Sequence, residues 1–152
     1  MAAYGALAEQ TIQPGGFMVF TSTIIPCELG LIQHADETPL FNLSGWKPNN
    51  GCCCQRMTPA YYDTMFNANV ALAPDATVEP ISVSISVDGV AYPLSEMDST
   101  PAAVSEFNHI GTELPVPILS GCCQNVAVQN TGTQPIVVRA GLISFRRDDI
   151  NR

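Results

Sequence analysis

The side chains of this sequence able to do covalent or metal chemistry are Cys27, the triplet Cys52-Cys53-Cys54, the pair Cys122-Cys123, and the histidines His34 and His109. A structural zinc site favours cysteines roughly two to four residues apart, which turns two thiolates onto one ion. Directly adjacent cysteines fit this poorly, because neighbouring side chains on a strand point to opposite faces. An even count also permits disulfides, but no secretory leader is legible and disulfides belong to oxidising compartments. Reduced thiols packed as small apolar side chains are the expectation, with disulfides and zinc as alternatives. Nucleophilic catalysis needs a nucleophile, a base and a group that orients the base. His34 and Asp36 could be half of a dyad or of a metal site, yet a loop histidine beside an acid is ordinarily solvated. His109, between Asn108 and Ile110, also reads as loop. Leu43-Ser44-Gly45 and Leu119-Ser120-Gly121 lack the first glycine of a nucleophile elbow, and no H-E-x-x-H or P-loop spacing occurs. The acids are too dispersed for a calcium loop. No catalytic residue, cofactor or metal is expected, and the chain does not read as an enzyme.

Composition narrows the role further. The net charge of −8 and pI near 4.4 argue against nucleic-acid binding, which needs Lys and Arg clustered across a face. Of six basic residues, Arg139, Arg146, Arg147 and Arg152 lie at position 139 or beyond, so the C-terminal end is locally basic. Asp148 and Asp149 balance that patch, which reads either as a solvated terminus or as a contact to an acidic partner. Only 13% of residues are charged while 46% are hydrophobic, so much of the surface is Ser, Thr, Asn, Gln and Gly or is hidden against other subunits. No stretch approaches the run of about 18 apolar residues that spans a membrane. Met1 to Glu9 lacks a basic region followed by an apolar core, so synthesis in a cytoplasm is expected. At 152 residues the chain suits one domain, with residues 1–14 as a possible N-terminal arm.

The elements that must position these groups are strands. In Ile81-Ser82-Val83-Ser84-Ile85-Ser86-Val87 a period of two puts the aliphatic residues on one face, and Asp88-Gly89 supplies a type I′ turn before Val90 and Tyr92 resume the pattern. Phe66, Ala68, Val70 and Leu72 alternate with Asn67 and Asn69 inside a strand read over 60–73. Further strands are read over 17–25, 39–44, 113–119, 122–129 and 136–146, the 113–119 segment at an edge because of its prolines. Twelve prolines leave no room for a long central helix. Ser99-Thr100-Pro101 begins one or two helical turns that end by Phe107. The expectation is an all-β antiparallel sandwich, a jelly roll of eight to ten strands.

The order of these elements resembles the jelly-roll domain of the tumour necrosis factor and complement collectin-like superfamily, particularly bacterial and phage members such as the C-terminal domains of collagen-like spore-surface glycoproteins. The likeness rests on the Gly15-Gly16-Phe17 opening strand, on Tyr61-Tyr62 followed by Phe66, on the Ile81 hairpin, and on the closing segments Ile118 to Gly121, Asn125 to Asn130 and Ala140 to Phe145. It implies a homotrimer, with Phe17, Phe20, Tyr61, Tyr62, Phe66 and Phe145 as candidates for the interface. The chain lacks a Gly-X-Y stalk, and a head of this kind looks like a structural virion protein that decorates a phage capsid or caps a head fibre. Its partner is then the major capsid protein, met through Arg146, Arg147 and Arg152. The alternative is a receptor- or glycan-binding head of a tail fibre or bacterial surface, with Trp46 in the Gly45-Trp46-Lys47-Pro48 loop stacking on a sugar or packing as a lid.

Overall fold

A computed structural model describes residues 1–27, 30–45, 60–118 and 123–149. Twelve strands follow in order: β1 (Ala2–Ala6), β2 (Gln10–Ile12), β3 (Ser22–Ile25), β4 (Ile32–Gln33), β5 (Phe41–Leu43), β6 (Ala60–Leu72), β7 (Ile81–Val87), β8 (Val90–Ala91), β9 (Met97–Ser99), β10 (Asn108–Ile118), β11 (Gln124–Asn130) and β12 (Ile136–Asp149). They form two antiparallel sheets. The first runs β10-β6-β12-β1-β3, with β2 also on β12; the second runs β4-β5-β11-β7-β8, with β9 also on β7. The jelly-roll sandwich expected from the sequence is the observed architecture.

Alternation decides which side chains meet between the sheets. Along β6 the buried residues Tyr62, Thr64, Phe66, Ala68 and Val70 interleave with half-buried Asp63, Met65, Asn67 and Asn69. In the second sheet Ile81, Val83 and Ile85 face them from β7, with Val126 and Val128 from β11. The Asp88-Gly89 turn has φ of 51° and 81°, as a type I′ hairpin requires. Pro115 and Pro117 sit in β10 at the sheet edge, where a missing N–H costs no ladder bond.

Several expectations change. Residues 1–14 are no arm: all five residues of β1 are buried, and the strand is hydrogen-bonded between β12 and β3. The strand expected over 17–25 is regular only from Ser22, because Phe17 and Phe20 make isolated bridges, to Gln129 of β11 and to Thr38 in the loop before β5. The segment 99–107 forms no helix. Ser105 takes a φ of 60°, and its N–H donates to Leu72 O at 3.0 Å, pinning the chain to the end of β6. The described helical turn is instead Pro93–Ser95. There Ser95 Oγ accepts from Ile85 N at 2.8 Å and donates to Tyr92 O at 2.6 Å, filling the gap between β8 and β9 along the edge of β7. The extra strands beyond ten are pairings of two or three residues, too short to show alternation.

Candidate functional site

The end of the sandwich near β1 and β5 is an aromatic cluster. Phe41 lies 5.1 Å from Phe20, 5.1 Å from Phe145 and 4.9 Å from Tyr4, ring centre to ring centre, in tilted and edge-on arrangements. Phe20, Tyr62, Phe66 and Phe145 are at most 1% exposed. These four belong to the core of the single chain and offer no side-chain surface to a neighbouring copy, because each sits on the inward register of its strand or loop. Of the six interface candidates, Phe17 is half-buried and Tyr61 keeps 37% of its surface.

His34 closes this cluster. Its ring stacks on Phe41 at 4.2 Å and 15°, Nδ1 is 2.9 Å from Leu40 O and Nε2 is 3.3 Å from Phe20 O. The histidine staples the loop before β5, while Asp36 accepts from Thr23 Oγ1 at 3.1 Å. Both groups are held by structural partners, so no dyad forms. Burial pushes the Tyr4 phenol above its ordinary range, and the nearby Cys27 and Asp36 push it the same way. His109 lies in β10 rather than a loop, with Nδ1 3.4 Å from Asn69 Oδ1 across the ladder.

The basic end is partly engaged within the chain. Arg146 pairs with Asp63 at 2.9 Å, and the hydrogen bond with that carboxylate raises the guanidinium further. Arg147 donates to Ser44 O at 2.9 Å and lies over the Tyr62 ring. Arg152 and Trp46 lie outside the described residues, as do Cys52, Cys53, Cys54 and Cys122. Cys27 is half-buried and unbridged, whereas Cys123 is exposed and does not pack as a core residue. Among the described residues no group of three or more His, Cys, Asp or Glu converges as metal ligands. No described helix is long and apolar enough to cross a membrane.

Each sheet also presents an outer face. The outer face of the first sheet carries Met65 and Asn67 on β6 beside Ser144 and Leu142 on β12, all half-buried and uncharged. It ends in an apolar groove of about 360 Å³ where Leu7 and Ile24 flank Gly5 and Gly141. Gly141 belongs to a bulge in β12 between Arg139 and Leu142, with Ala140 at φ 50°. The outer face of the second sheet carries Gln33, Asn42 and Asn125 in register across β4, β5 and β11.

No family model matches the sequence, and no curated protein matches it. Among solved structures, the globular domain of the zebrafish complement 1qA protein superposes with a TM-score of 0.59 at 12% identity, covering 99% of this chain and 97% of that one. The chain has the fold of a C1q-like jelly roll. Its first sheet, which brings both terminal strands together, and its second sheet of shorter strands are the two layers of that fold. Sequence reading missed both surfaces of the C1q-like jelly roll. Leu7 and Ile24 carried no signal beyond an apolar side chain, and Gln33 and Asn42 lie in strands too short to show which way they face.

Proposed function

We propose that this C1q-like domain is a non-enzymatic module that assembles as a homotrimer through the outer face of its first sheet. The observation that carries this reading is the apolar groove at one end of that face, which elsewhere carries the Asp63–Arg146 ion pair and Glu113. Leu7 is 84% exposed and Ile24 57% exposed beside the Gly5–Gly141 groove, and a contiguous apolar surface of this kind is a mark of an interaction site. The resemblance noted from the sequence and the likeness to the complement 1qA domain both support self-association. A low charged fraction supports it too, since a packed neighbour spares the chain a fully wet surface.

The role we assign to the trimer is structural, on the surface of a virion, made in the host cytoplasm and seated on a major capsid protein. What supports it is the sequence resemblance to phage members of the superfamily together with the exposed Arg146 at the basic end. Light scattering tests the assembly: a three-fold mass is expected for the wild type, and a monomer mass for Leu7→Glu combined with Ile24→Glu, with strand content unchanged by circular dichroism. A monomeric wild type removes the trimer. Recovery of the chain in the capsid fraction of a density gradient checks the virion role, and recovery in the soluble fraction alone removes it.

A further inference from the structure

We propose that the row Gln33–Asn42–Asn125, with the recess beside it, is a binding site for a neutral hexopyranose. This goes beyond the self-association reading and occupies the opposite sheet. Gln33 and Asn42 are register partners on β4 and β5, and Asn42 is in turn the partner of Asn125 on β11. Their inward neighbours Ile32, Phe41, Leu43 and Val126 are core residues, so the three carboxamides stand on the solvent side of one continuous ladder. Among the described residues, none of the three amides makes a side-chain hydrogen bond. Each therefore offers two donors and one acceptor to whatever approaches. The recess of about 600 Å³ next to Gln33 and Asn42 is completed by His34, Thr38, Pro39 and Leu40.

The lining selects the ligand by chemistry. No carboxylate or amine lines the recess, the carboxylate nearest the row being that of Asp88, which accepts from Asn125 N at 2.8 Å, and the two ring nitrogens of His34 face the carbonyls of Leu40 and Phe20, so the recess offers a charged ligand no directed ion pair. A wholly apolar ligand would cover the amides without satisfying them, at the cost of desolvating polar groups. A nucleobase calls for an open aromatic platform, and the His34 ring is already stacked on Phe41. What fits is an uncharged ring with hydroxyls on its edge and C–H groups on its face: hydroxyls to Gln33 and Asn42, the C–H face to Pro39 and to Leu40, which is 43% exposed. The ladder fixes the spacing of the backbone positions from which the amides project before the ligand arrives.

The test is a titration of the isotope-labelled full chain with the methyl glycosides of glucose, galactose and mannose, followed by nuclear magnetic resonance. Saturable shifts of the side-chain amide signals of Gln33 and Asn42 at millimolar sugar are expected. Gln33→Ala and Asn42→Ala should each weaken binding about tenfold, as loss of hydrogen bonds does. Both should leave the trimer mass as it is. Should Asn42→Ala fail to fold, Gln33→Glu asks the same question at constant size by deleting the donors. Absence of saturable shifts with all three glycosides overturns the proposal. So does binding that survives the Gln33→Ala change, or shifts confined to the Trp46 indole, which would move sugar recognition to that residue. Light scattering reads the homotrimer separately, so either idea can fail alone.

Discussion

The two sheets of this sandwich are built on different plans. In the first, β6, β10 and β12 run 13, 11 and 14 residues, and β6 pairs along nearly its whole length with both neighbours. In the second, β4, β5, β8 and β9 span only two or three residues each, and loops and a single hydroxyl complete the ladder. Long ladders give a continuous outer surface interrupted by the β12 bulge and its groove. Short strands leave loops such as 34–40 beside the sheet, so the outer surface gains a recess and free polar groups. In the reading proposed above, one layer is covered by a copy and the other meets a ligand.

Removing what joins the sheets should break this contrast most severely. Phe41 comes from the second sheet and packs on Tyr4 and Phe145 from the first. Phe41→Ala is expected to cost about 3–5 kcal/mol in chemical denaturation, the usual range for truncating a buried aromatic. A loss under about 1 kcal/mol would show that the layers hold together without this cluster. Within the first sheet, a Cβ at Gly141 would lie 2.1 Å from Met18 Cε. Gly141→Ala therefore should cost about 1–3 kcal/mol through overpacking. Adding Met18→Ala should then cost less than Met18→Ala does alone, since the clash and the side chain vanish together. Additive losses would mean that the bulge, not Met18, sets the need for glycine. In the second sheet, Ser95→Ala leaves the Ile85 N–H without its partner, with an expected loss of about 1–2 kcal/mol. Amide exchange should sharpen the contrast: faster exchange is expected at Ile85, with β6 unaffected. Equal exchange changes in both layers would show that the second sheet is no more locally patched than the first.

The longer strands of both layers were legible in the chain because alternation needs length to be seen. Tyr62 to Leu72 and Ile81 to Val87 declare their buried faces by a period of two, and Asp88-Gly89 declares its turn. The prolines at 115 and 117 announced an edge. The helical turns read over 99–107 failed because a cap and a proline are local signals, whereas the bond from Ser105 N–H to Leu72 O is a contact 33 positions away. Phe20, Tyr62, Phe66 and Phe145 were nominated for an interface on residue type, and burial placed them inside the chain.

The sequence by itself determined the fold class, since period-two hydrophobicity and Gly or Pro punctuation are properties of neighbouring residues and express the pleat directly. Only the tertiary structure decided which side chains share a surface. The meeting of Gln33, Asn42 and Asn125 is a matter of register between strands, as is the gathering of Leu7, Ile24 and Gly141 at one groove. Register depends on how the whole core packs, and a slip of one residue would turn every one of these side chains to the other face.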